Sequence, residues 1–136
     1  MEGRELLRIV QIRKGKVRPA EFRFREGETG LSLFEHVADP SSDEVVAAVR
    51  LAGKQGDLTA VAIPEQILRQ LGLRIVRTAG GTPVPAVNAV HYEARLSIWR
   101  RVVLALRGVP VHDYFNQHYA GALSAQARPL ASGGEP

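Results

Sequence analysis

The amino-acid sequence predicts an α+β fold, with one small mixed or antiparallel sheet packed on one side by three to four helices. Strand-like runs rich in Leu, Ile, Val and Phe dominate the first quarter of the chain. Helical spacing bounded by capping residues appears at 42–52, at 64–72 and again from Glu93 onward. The length of 136 residues, 45% hydrophobic and 24% charged, suits one unit over residues 1–128 and a disordered tail at 129–136.

Segment 5–13 (ELLRIVQIR) reads as a strand, and Lys14-Gly15-Lys16 as a turn in which Gly15 supplies positive φ. Over 17–25, Phe22 and Phe24 alternate with Arg23 and Arg25, the period of a half-buried strand. Pro19 cannot donate to a ladder, which puts that strand at an edge or starts it later. Together the two segments predict an antiparallel hairpin with arginines on its wet face. Residues 31–37 carry no clear type. Ser41 and Glu44 have capping-box spacing, and Val45, Val46, Val49 and Ala52 follow at helical intervals before Gly53.

Residues 58–63 form a short β-rich run, expected in the middle of the sheet. Pro64 then opens a helix that Gly72 closes, and residues 74–77 read as another strand. The Pro and Gly of 79–86 (AGGTPVPA) exclude regular structure there. From Glu93 a helix is expected with Tyr92, Leu96, Trp99, Val103 and Leu106 on one buried stripe, ended by Gly108 and Pro110. Asp113 is placed to cap a last helix whose stripe is Phe115, Tyr119, Ala122 and Leu123. The expected core centres on Phe22, Phe24, Leu71, Trp99 and Phe115.

Composition narrows the chemistry. The absence of cysteine excludes a disulfide framework, a zinc ribbon and a thiol nucleophile. Apolar runs of about five residues are far below the ~20 that span a bilayer, and the charged N-terminus lacks a signal-peptide core. A cytoplasmic protein without membrane contact is therefore expected, with no metal site and no cofactor. The net charge of +4 is segregated: residues 1–25 carry +5, residues 26–73 carry −5 and residues 74–136 carry +4. If the two ends pack together, Arg13, Lys14, Lys16, Arg23, Arg25, Arg100 and Arg101 make one basic face for nucleic acid or another polyanion.

Acid–base chemistry at neutral pH rests on four histidines. His91 and Glu93 share a face only if their segment is a strand, where they could act as a base and its orienting partner. Ser32 and an arginine would complete such a pocket. His112 beside Asp113 is a second oriented-base candidate, although a loop histidine next to a capping aspartate explains the same dipeptide. His112 and His118 lie about 240° apart on a helix, too far for a two-histidine metal pair. His36 reads as structural. No phosphate-binding loop, dinucleotide fingerprint or nucleophile elbow is present; Gly80-Gly81-Thr82 could present amides to an anion but reads first as a plain turn.

Three resemblances bear on these residues. Arg107 to His112 has the R-x4-H spacing of HEPN-type ribonucleases, but Gly108 and Pro110 interrupt the helix which that family requires. Residues 61–73 (VAIPEQILRQLGL) resemble the strand, Ile-Pro, helix, Leu-Gly stretch of AbrB-type DNA-binding regulators. They depart from it where Arg74-Ile75-Val76-Arg77 replaces the usual Gly-Asp turn. More broadly, the segment E-G-E-T-G-L-S at 26–32 followed by Ala89-Val90-His91 is similar to short bacterial proteins of unassigned function. That likeness implies a stand-alone domain and draws attention to Glu26, Gly27, Gly30, Ser32 and His91.

The functional expectation is a non-catalytic binding or accessory module for a protein or nucleic-acid partner. The alternatives are a small enzyme acting on nucleic acid or a nucleotide at a His91-centred site, and an AbrB-like regulator.

Overall fold

The computed structural model describes residues 3–130. In chain order it contains β1 (Glu5–Arg13), β2 (Lys16–Val17), a 3₁₀ turn (Pro19–Phe22), β3 (Leu31–Glu35), α1 (Ser42–Leu51), β4 (Leu58–Pro64) and α2 (Glu65–Gln70). There follow β5 (Arg74–Arg77), α3 (Pro85–Asn88), β6 (His91–Arg95), α4 (Ile98–Leu106), α5 (Val111–His118), α6 (Ala120–Gln126) and β7 (Arg128–Pro129). The strands form one antiparallel sheet in the order β5-β6-β3-β1-β4-β7, with β2 folded back on β1. The fold is α+β, as the sequence predicts.

Side chains alternate across the central strands, and each face carries its own core. Leu6 and Val10 of β1, with Val61 and Ile63 of β4, join Phe22, Phe24, Leu68, Leu104, Phe115 and Leu123 on one face. Leu7 and Ile9, with Ala60 and Ala62, join Phe34, Val45, Ala48 and Val87 on the other. Helices therefore cover both faces, not one. The first cluster lies under α2, α4, α5, α6 and the 3₁₀ turn, the second under α1 and α3. Burying Phe22 and Phe115 completely stabilises the first by about 1.5–3 kcal/mol each.

Several local expectations hold because local chemistry decides them. Lys14 and Gly15, both at positive φ, make the two-residue turn between Arg13 and Lys16. Ser41 Oγ accepts from the Glu44 amide at 3.2 Å, and Glu44 Oε1 accepts from the Ser41 amide at 2.9 Å, the reciprocal box that starts α1. β4 lies inside the sheet between β1 and β7. Pro64 is the residue before α2, one position earlier than expected.

Other expectations are corrected. The hairpin ends after Val17, because Pro19 opens a 3₁₀ turn in place of a strand. Phe22 and Phe24 are both buried, but Phe24 has no strand partner. The Asn116 side chain of α5 serves instead: its Oδ1 accepts from the Phe24 amide at 3.0 Å and its Nδ2 donates to the Phe24 carbonyl at 2.9 Å. The loop over 79–86 gives way at Pro85 to the one-turn α3.

The largest correction concerns the segment around Trp99. Residues 91–95 are a strand between β3 and β5, and the helix starts only at Ser97, whose Oγ accepts from the Arg100 amide at 3.2 Å. Leu104 is the buried residue of α4, and Trp99 lies about 140° around the helix from it. Trp99 is 80% exposed and Leu106 83%, so neither belongs to the core; Leu71 is only half-buried.

Pro110, not Asp113, precedes α5, and the expected last helix is broken at Tyr119 into α5 and α6. Pro129, assigned above to the tail, pairs with Val61 in β7; the remainder of that tail, 131–136, lies outside the described residues. Among the described residues no helix is long and apolar enough to cross a membrane.

Candidate functional site at the Ser32–His91 cleft

β3 and β6 pair with Phe34 opposite His91 and Ser32 opposite Glu93, so these four side chains share one sheet face. Past the C-terminal end of α1 that face opens into a cleft of about 200 Å³. Ser32, Phe34 and His91 form its floor, Val49 and Ala52 one wall, and Gly81 and Thr82 the other. Thr82 is held there by Asn88, whose Oδ1 accepts from the Thr82 amide at 3.0 Å and from its hydroxyl at 2.7 Å. That amide is therefore not free for an anion.

His91 is 6% exposed and is held at both ring nitrogens. Nδ1 lies 2.7 Å from Thr78 Oγ1, Nε2 hydrogen-bonds Ser32 Oγ, and the ring packs edge-on against Phe34 at 5.1 Å. Burial lowers the imidazole pKa below its ordinary value, while the Thr78 backbone carbonyl and the Glu93 charge pull it back up. The ring is therefore neutral at pH 7. In the tautomer with the proton on Nδ1, facing Thr78, Nε2 accepts from the Ser32 hydroxyl. That is the arrangement of a hydroxyl, a base and an orienting group.

Because 91–95 is a strand, Glu93 shares a face with His91, the condition set for their acting together, but it does not orient the ring. Its Oε1 accepts from Thr29 Oγ1 at 2.7 Å and from Arg95 Nε at 2.9 Å. Thr78 takes the orienting place.

Arg8 is the least expected member. β1 pairs with β3 only at Leu6 and Leu7, and the strands then part. The Arg8 guanidinium fills the gap, donating from Nη1 to the Ser32 carbonyl at 3.0 Å and from Nε to the Glu21 carbonyl at 2.9 Å. A guanidinium carries five N–H donors, and Arg8 makes no ion pair among the described residues. Burial lowers its pKa to about 10, partly offset by Glu21 and Glu28, and it stays cationic at neutral pH.

Arg8 also lines a groove of about 580 Å³ in which the cations Arg23, Arg25 and Lys54 outnumber the carboxylates Glu21 and Glu28. Lys54 Nζ donates to the Ile9 carbonyl at 3.0 Å and lies 3.2 Å from Glu21 Oε1. Burial first, then the nearby Arg8 charge, lowers its pKa. Arg8 thus borders both the Ser32–His91 cleft and a groove rich in cations.

The remaining sequence candidates lie elsewhere in the fold. Arg13, Lys14 and Lys16 are exposed at the hairpin tip. Arg100 stacks over Tyr114 at 5.4 Å, and the Nε of Arg101 is buried without a partner among the described residues. Neither lines the groove, so the expected single arginine face divides, with Arg23 and Arg25 gathered there and Arg100 and Arg101 on α4. Among the described residues His112 pairs only with Asp113, at 3.1 Å. No group of three His, Asp or Glu side chains among the described residues is placed to hold a metal ion.

Sequence reasoning missed Arg8, Lys54, Thr78 and Asn116. Arg8 alone left a signal, as a cation in the middle of the apolar run ELLRIVQIR. No protein-family model matches the chain, nor does any curated protein or solved structure.

Proposed function

We propose that the chain is a nucleic-acid-binding module whose groove holds a phosphate at Arg8, flanked by Arg23, Arg25 and Lys54. The observation that carries this reading is the Arg8 guanidinium, largely desolvated, with donors left over and no carboxylate within ion-pair distance among the described residues, Glu21 and Glu28 acting on it only from farther off. A buried charge costs several kcal/mol unless it is paired, and an anion bound in the groove supplies the missing partner. Phosphate suits the planar fork of donors, and the further cations suit the next phosphates of a strand.

The test is anisotropy of a labelled single-stranded oligonucleotide at rising salt. Log affinity is expected to fall linearly with log salt, and Arg23→Ala with Arg25→Ala to make the slope shallower by about 1.4. Binding indifferent to salt, or unchanged in the double variant, overturns the reading.

A second reading, a small enzyme on nucleic acid or a nucleotide, is favoured by the Ser32–His91–Thr78 hydrogen bonds beside the same arginine. There Ser32 Oγ is the nucleophile, His91 Nε2 takes its proton, and Arg8 steadies the anionic substrate. Turnover of a phosphate or acyl ester that Ser32→Ala abolishes while leaving oligonucleotide affinity intact would establish it.

A further inference from the structure

α4 is amphipathic in the wrong sense for a surface helix. Leu104 faces the core, and the solvent face opposite it carries Ile98, Trp99, Val102, Val103 and Leu106. Trp99 and Leu106 are 80% and 83% exposed. A contiguous apolar stripe of this kind marks an interaction surface. On the helical wheel, Arg101 lies to one side of the stripe, and Arg100 and Arg107 to the other. No Asp or Glu occurs between Glu93 and Asp113.

We propose that the exposed face of α4 is the docking site for an acidic amphipathic helix of a partner protein, whose apolar ridge packs on Trp99, Val103 and Leu106 while its carboxylates reach the flanking arginines. Two observations select this occupant. Charge complementarity requires an acidic partner, and a second copy of this chain laid on the same face would set arginine against arginine. The surface is also shaped for a side-chain knob, with a hollow of about 210 Å³ lined by Ser97, Trp99, Arg100 and Val103. The hollow lies beside Trp99 and Val103 at the N-terminal end of the exposed stripe, where one apolar side chain of a partner can enter it.

Trp99 is the chain's single tryptophan, so its emission reports this face. The probe is a three-heptad peptide with leucine at a and d and glutamate at e and g, the acidic positions keeping it from pairing with itself. Saturable blue-shifted Trp99 emission is expected, with affinity lowered about tenfold or more by Leu106→Asp. Arg100→Glu with Arg107→Glu should weaken the glutamate peptide and admit the same peptide carrying lysine at e and g. The absence of a shift with the glutamate peptide, or equal binding of both peptides, overturns the proposal. So does a shift seen only with phosphatidylserine vesicles, or one that follows protein concentration alone with a doubled mass in sedimentation.

Discussion

At the scale of single residues, a buried histidine and a half-buried arginine define the candidate site, and they differ in how fully they are satisfied. His91 has a hydrogen-bond partner at each nitrogen, whereas Arg8 spends two donors on carbonyls and has no counter-ion among the described residues. The lowered pKa of His91 has a sign that can be tested. The unfolded chain takes up the proton first as pH falls through the ordinary value of 6.5, so folded stability is full above that value and declines below it, towards the lowered native value. Denaturant titrations at about pH 7.5 and 5.5 should show a fall in stability that His91→Gln reduces; an unchanged fall would remove His91 as its source. Ser32 and His91 were visible in the sequence as separate residues. The enzyme alternative put them in one pocket with an arginine, but neither their direct hydrogen bond nor the identity of that arginine was legible, because 59 positions separate Ser32 from His91 and only the β3–β6 register brings them to one face.

At the scale of elements, legibility tracks how local the deciding interactions are. α1 is readable because its start is determined by two side chains three residues apart, each bonded to the other's backbone. Ser41→Ala is accordingly expected to cost about 1 kcal/mol in equilibrium unfolding, with a further loss at Glu44→Ala that is less than additive. Full additivity would mean that the two bonds act independently. By contrast, 17–25 has the alternation of a strand, but beyond Val17 no strand pairs with it among the described residues, and the Asn116 amide takes the place of a ladder at Phe24. Residues 91–95 likewise satisfy helical spacing in the sequence, but β3 and β5 claim their backbone groups. Spacing alone cannot tell these cases apart when the partner is remote.

Across the whole molecule, the two ends of the chain meet at the sheet. β1 is central, and β7 joins the outer side of β4, where Arg128 Nη2 also bonds the Glu5 carboxylate at 2.6 and 2.8 Å. Removing residues 128–136 uncovers that edge of β4 at Val61 and Ala62. The truncated chain is expected to lose about 1–2 kcal/mol of unfolding free energy and to associate more readily, as calorimetry and light scattering would report. An unchanged unfolding midpoint would show that β7 adds nothing to the sheet. The α+β class, the Lys14-Gly15 turn, the α1 cap and the Phe22, Phe24 and Phe115 core were readable from composition, capping pairs and aromatic placement, all of them short-range signals. The two-sided packing, the outward apolar face of α4, and the gathering of Arg8, Ser32 and His91 depend on strand order and register, set by burial summed over contacts distant in the chain.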